Sequence, residues 1–321
     1  MSKRVLFLGG TGEISAACVN YALEVGHEVT LFNRGKRGNT IPEGVRQVTG
    51  DVTNREELAS VAQQNFDVVC QFLGFVTEDV QRDIEIFADS CSQYIFISSA
   101  SAYQKPNHGA VITETTPLNN PYWAYSRNKA ACEYALESSE LPYTIVRPSH
   151  TYRERVPSTV IDGNHLVWRL LNDQPIIAHD EGKTLWSITR SEDFARAFVA
   201  LFDNPETIGE AYHITDSQAH TWREILNSIA ALLQKDAQII NVPTQALVQY
   251  EPTWEGPLFG DKANDAVFDN TKIASVAEGW ECEISLLDGL QRALATPLAN
   301  SNYQPNRETD QLIDRIIDEN A

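Results

Sequence analysis

The ten residues LFLGGTGEIS, Leu6 to Ser15, restrict the fold more than any other stretch of this chain. Gly9, Gly10 and Gly12 follow a short apolar run, RVLFL, and lead into a helix-forming run from Glu13 to Val25. A strand that ends in glycines and turns straight into a helix gathers free backbone N–H groups and the positive end of a helix dipole at one spot. Gly9 and Gly10 permit the tight turn, Gly12 lets the backbone approach a pyrophosphate, and Ser15 stands where a third glycine would complete the pattern. Ser15 is small enough for close helix–strand packing. Alone, the motif also reads as an ordinary glycine-rich turn. Placed after the first strand of an alternating chain, it predicts a dinucleotide cradle of Gly9, Gly10, Thr11, Gly12, Glu13 and Ile14.

The alternation is present. HEVTLFNR, VRQVTGD, FDVVCQFLG, YIFISSAS and YTIVRP read as five more strands, and helical runs separate most of them. TNREELASVAQQ offers Thr53 and Asn54 as caps with acids in its first turn. Near-continuous apolar strands between helices predict a Rossmann-type α/β fold, a doubly wound parallel sheet covered on both faces. That domain is expected over residues 1–150, with some later segments returning to it. Residues 151–321 are expected to form a smaller, mixed α/β substrate-binding part and a C-terminal helix. YEPTWEGPLFGDKAND reads as a long loop of the kind that lines a site. The tail spaces Leu312, Ile313, Ile316 and Ile317 as one apolar helix stripe, which must dock on the body or on a partner chain.

Composition narrows the function. The 321 residues are 42% hydrophobic, enough for a sizeable core, and no apolar run approaches a membrane span. Five dispersed cysteines without C-x-x-C spacing suggest reduced thiols in a cytoplasmic protein and no metal site. A formal net charge of −19 repels phosphate backbones and anionic membranes, which argues against broad nucleic-acid binding. Against that background the basic run NRGKR, Asn33 to Arg37, stands out at the end of the second strand. An acid there would hold the 2′-hydroxyl of NAD. Asn33 and Arg34 instead favour a 2′-phosphate, so NADP is expected over NAD, with a plain solvated basic loop as the other reading.

YWAYSRNKAACE, Tyr122 to Glu133, carries the chemistry. Tyr125 and Lys129 are four apart and share a helix face, whereas Tyr122 is two turns away from Lys129. Free tyrosine has a pKa of about 10, and a nearby ammonium is expected to lower it toward working range. Tyr122 is expected at the pocket wall or helix start, and Glu133 as a solvated partner of Lys129 one turn on. The serines of FISSAS can alternatively be small turn-forming residues.

With these motifs together, the chain resembles the short-chain dehydrogenase/reductase superfamily, and most closely its extended branch of epimerases and dehydratases. GGTGEIS, GDV, FISSASAY, YSRNK and IVRPSHTY occur in the family's order and cover most of the chain. The resemblance implies that Tyr125 is the acid/base, Lys129 its partner, and Ser99 the hydroxyl that holds the substrate oxygen. It places Asp51 and Val52 beside the adenine, Phe72, Leu73 and Gly74 along the cofactor, and Pro148, after Arg147, at the nicotinamide pocket. Phe75, Ser101, His150, Arg153 and Trp186 are expected on the substrate side, with Arg190 and the loop from Trp254 to Asp261 shaping the pocket. The family departs here at Leu8, at Ser15 and in SHTYRERVPS. The acid pair that accompanies dehydration in the family is missing after Ser99. The implied activity is NAD(P)-dependent oxidoreduction, epimerisation or dehydration of a small hydroxylated or keto substrate, such as a sugar or nucleotide sugar, in a homodimer. The other reading is a non-catalytic dinucleotide-binding or RNA-binding protein resembling chloroplast stem-loop RNA-binding proteins.

Overall fold

The computed structural model describes residues 1–36, 41–300 and 302–321, so Arg37 of the basic run lies outside the described residues. Strands β1 (Arg4–Leu8), β2 (Glu28–Asn33), β3 (Arg46–Thr49), β4 (Phe66–Gln71), β5 (Cys91–Ile97) and β6 (Tyr143–Pro148) join one parallel sheet. A seventh strand, Ala211–Ile214, returns from the second half and pairs with β6. The order across the sheet is Ala211–Ile214, β6, β5, β4, β1, β2, β3. Chain direction across the sheet therefore reverses between β1 and β4, the place where open α/β sheets bind ligands.

The register sharpens that place. Leu8 lies opposite Phe32 and Gln71, and Gln71 opposite Phe96. The carboxyl ends of β1, β2, β4 and β5 thus finish level, and the loops after them share one edge.

Both faces of the sheet are covered. On one, α1 (Ser15–Glu24) and the helix Ser191–Ala200 pack Ala17, Cys18, Phe194 and Phe198 onto Val5, Phe7 and Val68. On the other, α2 (Arg55–Ala62), α3 (Thr77–Phe87) and α4 (Ala124–Glu137) contribute Leu58, Phe87, Cys132 and Leu136. Each such large side chain contributes about 1.5–3 kcal/mol by leaving water. Asn54 caps α2 through its side chain, accepting from the N–H of Glu56 and Glu57.

Helix α4 corrects the sequence expectation. Ser126, Lys129 and Glu133 are 0, 1 and 0% exposed, so its inward face carries a polar stripe. Glu133 is no solvated partner of Lys129. It accepts a hydrogen bond from Ser98 and a paired contact from Arg147, with Nη2 at 2.5 Å and Nε at 3.1 Å. Helical spacing alone puts Glu133 beside Lys129; packing of α4 on β5 and β6 turns it toward Arg147.

The second half forms its own cores around helices Gly163–Leu171, Trp222–Leu232 and Leu286–Ala299. Strands Ile176–His179 and Ile239–Val242 pair in parallel. The C-terminal helix Arg307–Asn320 docks on the body: Ile313, Ile316 and Ile317 meet Ile177, Val242, Leu247 and Leu258. Arg169 bridges to Asp310 and Asp314 of that helix at 2.5 and 2.7 Å. The segment expected as a long loop is instead a series of helical turns, ending in a π-helical turn at Leu258–Lys262. It closes tightly because a Cβ on Gly256 would lie 2.3 Å from the Trp123 ring, so only glycine admits this approach.

Candidate active site

A cleft of about 700 Å³ opens over the carboxyl ends of β1 and β4. Its wall begins with the glycine loop. Gly10 has a φ of +99°, and a Cβ there would sit 2.5 Å from Leu31, so backbone and space both require glycine. Gly12 N–H donates to Ser15 Oγ at 2.9 Å, so the serine at the third-glycine position also braces the turn. Thr11 and Ile14 line the same wall. Glu13 Oε2 accepts from the main-chain N–H of Arg153 and Glu154 at 3.0 and 2.8 Å, which ties the loop to the second half.

At the end of β2, Asn33 Oδ1 accepts from Gly35 N–H and Gln47 Nε2, both at 2.9 Å. Asn33 Nδ2 is buried and has no hydrogen-bond partner among the described residues. Arg34 lines the cleft beside Asp51 and Val52. The Asp51 carboxyl is held below its ordinary range by Thr53 N–H and Oγ, and then by the charges of Arg34 and Lys36. The opposite wall, Phe72 and Leu73, is fixed from beneath: Leu73 N–H donates to Gln71 Oε1 at 2.6 Å, and Gln71 in turn donates to Asp83. Tyr94 donates to that same buried carboxylate at 2.7 Å. Sequence reading missed this support, because Gln71, Asp83 and Tyr94 come from three separate elements.

A turn cradle, an unpartnered amide donor and a helix N-terminus around one long cleft fit a dinucleotide lying across the sheet edge. Every residue expected at the cofactor lines the cleft except Gly74, whose carbonyl instead accepts from Lys129 Nζ at 2.6 Å. Lys129 also donates to Ile97 O at 2.7 Å, and its ammonium sits 4.9 Å from the Phe75 ring and 4.8 Å from the Phe96 ring. Burial brings its pKa down to about 8.

A second cavity, of about 260 Å³, adjoins the first, and Tyr125 and Pro148 line both. Ser99, Ser101, His150 and Trp186 line only the smaller one. Ser99 Oγ shares a hydrogen bond with Ser101 Oγ at 2.8 Å, and Ser126 Oγ donates to Ser101 Oγ at 2.8 Å. The Tyr125 phenol lies close enough to Ser99 for that hydroxyl to favour its ionised form. Its pKa is raised by burial, opposed by that hydroxyl, with Asp261 adding to the rise. The expectation that Lys129 lowers it is corrected in direction. The ammonium is spent on two carbonyls and lies 5.8 Å from the tyrosine ring centroid.

His150 sits at the start of strand His150–Tyr152, which pairs with Ile188–Arg190. Its ring packs edge-on against Trp186 and Trp222, and burial with the Lys262 charge lowers its pKa to about 3. It is therefore a neutral hydrogen-bonding group at neutral pH, unsuited to proton transfer there. Trp186 is nearly buried and donates from Nε1 to Asn264 O at 2.9 Å. Phe75 and Arg153 lie elsewhere: Phe75 lines the larger cleft, and Arg153 pairs with Glu154 at 2.8 Å. Arg190 is an internal brace, donating to Arg153 O at 2.6 Å and paired with Glu192. Tyr122 lies outside the helix against Phe259.

The smaller cavity also holds residues that sequence reading did not single out: Lys105, Trp123, Ser149, Ala266 and Phe268. Lys105 had a usable signal. It lies on the loop leaving the carboxyl end of β5, the edge where the site must be.

The family model described as NAD dependent epimerase/dehydratase family matches residues 5–215. The chain is 24% identical to the chloroplast stem-loop binding protein of 41 kDa b of Arabidopsis thaliana, over 98% of this chain and 84% of that protein. It is 23% identical to 2'-dehydrokanamycin reductase of Streptomyces kanamyceticus, over 75% of this chain and 70% of that one. The dTDP-glucose 4,6-dehydratase of Bacillus anthracis, solved with NAD, superposes with a TM-score of 0.75 at 19% identity, over 93% of this chain and 97% of that one. That likeness shows the fold. Among the described residues, no helix is long and apolar enough to cross a membrane.

Proposed function

This chain belongs to the NAD dependent epimerase/dehydratase family and is an enzyme of the short-chain dehydrogenase/reductase type, and we propose that it acts on a small hydroxylated or keto substrate of sugar size, with Tyr125 as acid/base. The observation that carries this reading is the position of Tyr125, which lines both cavities with Ser99 on the smaller one. When bound, the nicotinamide dinucleotide supplies the hydride chemistry.

The chain's own residues do the rest. The glycine loop and the N-terminus of α1 take the negative pyrophosphate. Asn33 Nδ2 and Arg34 take the ribose side, and Lys129 presents its ammonium at the inner end of the cleft. Ser99 Oγ holds the reacting substrate oxygen, and Tyr125 gives that oxygen a proton or removes one. Burial keeps the phenol protonated at neutral pH, so donation to a carbonyl is the ready direction. Removal from a hydroxyl needs the phenolate and is favoured by alkaline pH.

Mass spectrometry of the purified, denatured protein tests the type of cycle. A retained dinucleotide supports epimerisation or dehydration, where the hydride returns; a cleft that exchanges freely with added NADPH supports net reduction. Failure to bind either NAD⁺ or NADP⁺ would sink the reading. The basic end of β2 supports NADP over NAD. Arg34→Ala is expected to lower NADP⁺ affinity about tenfold or more and to leave NAD⁺ affinity unchanged.

The similarity to the Arabidopsis stem-loop binding protein over 98% of this chain favours a second reading, RNA binding. The net charge of −19 opposes it. Filter binding with structured RNA at two salt concentrations decides: tight, salt-sensitive retention would revive it.

A further inference from the structure

The smaller cavity is lined by a cation, Lys105, that no side chain among the described residues meets directly. Lys105 is 4% exposed and lines the cavity beside Ser101 and Trp123. Its main-chain N–H donates to Asn119 O at 3.1 Å, but its ammonium has no hydrogen-bond or ion-pair partner among the described residues. Burying an ammonium without a partner is costly, so such groups are normally paired. The two carboxylates that influence it electrostatically, Asp261 and Asp265, are both committed elsewhere. Asp261 pairs with Lys262 at 3.5 Å, and Asp265 Oδ1 accepts from Leu185 N–H at 2.8 Å.

The other walls describe the rest of a ligand. Trp123, Trp186 and Phe268 give apolar faces, while Ser99, Ser101 and neutral His150 give hydrogen-bonding groups. A volume of about 260 Å³ suits one sugar ring better than a sugar joined to a nucleotide. Asp261 lies in the same cavity, so a dianionic phosphate would meet a like charge, whereas a carboxylate carries only one.

We propose that Lys105 is a specificity residue, and that the substrate is a carboxylated monosaccharide, a sugar acid whose carboxylate pairs with the Lys105 ammonium. This rests on the reading that Tyr125 serves a sugar-sized substrate in the same cavity. In this assignment Lys105 sets which molecule enters, and the proton step stays with Tyr125 and Ser99.

Calorimetric titration of the full chain, saturated with its preferred dinucleotide, tests the assignment without turnover. The probes are D-glucuronate, D-galacturonate, D-glucose, D-glucose 6-phosphate and UDP-glucose. At least one uronate should bind about thirtyfold or more tighter than glucose, and Lys105→Gln should abolish that preference. Lys105→Arg, which keeps the charge, should retain much of it, and unchanged dinucleotide affinity in both variants reports an intact fold. Equal or tighter binding of glucose, the sugar phosphate or UDP-glucose would overturn the proposal. So would the absence of uronate binding, or uronate binding indifferent to both substitutions. Failure of the hydride-transfer reading looks different: the dinucleotide or the Tyr125→Phe variant would fail its own test while the uronate preference stood.

Discussion

The two cavities that meet at Tyr125 are built from different materials. The larger one is built around main chain: a glycine turn, four strand ends at one level and a helix N-terminus. Side chains tune it at Asn33, Arg34 and Lys129. The smaller one is made of side chains carried by segments far apart in sequence: the β5 exit loop, Trp123 and Tyr125, His150, Trp186, and the turns around Asp261 and Phe268. A backbone cradle tolerates little at its glycines and recognises a feature common to all dinucleotides. A side-chain cavity can be recut one residue at a time, which is how one fold serves many substrates.

That contrast can be broken at its seam. Tyr125→Phe should leave dinucleotide affinity unchanged and lower turnover by about two to four orders of magnitude, measured under single-turnover conditions. Loss of dinucleotide binding would place Tyr125 in the backbone cradle instead. Glu133→Ala attacks the wall behind both cavities. It leaves Arg147 buried without its carboxylate, and urea denaturation should show a loss of about 3–5 kcal/mol. A change near zero would mean that water replaces Glu133 and that the buried pair is dispensable. Gly10→Ala should cost about one to two orders of magnitude in dinucleotide affinity, since it adds about 1–3 kcal/mol of backbone strain and displaces Leu31. Unchanged affinity would mean that the cradle adapts as readily as the side-chain cavity.

The smallest expected effect is on pH. Lys129 is charged below its lowered pKa of about 8 and neutral above it. Dinucleotide affinity should therefore fall as pH rises through about 8, and Lys129→Met should flatten that dependence. A flat profile in the unaltered protein would separate Lys129 from cofactor binding.

The sequence made the cradle legible because its parts are local. Glycine spacing, strand ends and the first helix lie within a few residues of one another, and the physics of a tight turn acts over that range. The i, i+4 pairing of Tyr125 and Lys129 was legible for the same reason. Glu133 was not. A helix bearing Ser126, Lys129 and Glu133 looks solvated on that face until Ser98, the Ile97 carbonyl and Arg147 satisfy Lys129 and Glu133 and Ser101 accepts from Ser126. The direction of the Tyr125 pKa was misread likewise, since sequence gives the lysine's position on the helix but not the carbonyls that hold it.

What the chain determined by itself was the layered α/β fold, the glycine turn at the sheet edge and the shared helix face of Tyr125 and Lys129, all encoded in short-range patterns of glycine, apolar and helical spacing. Tertiary structure alone decided which polar residues lost their water. Packing buried Lys105 with no direct partner for its ammonium among the described residues, buried Glu133 with one, and brought Asp261 into the cavity on a π-helical turn. Those outcomes bring together residues far apart in the chain, such as Lys105 and Asp261 on one cavity wall, and no local pattern records them.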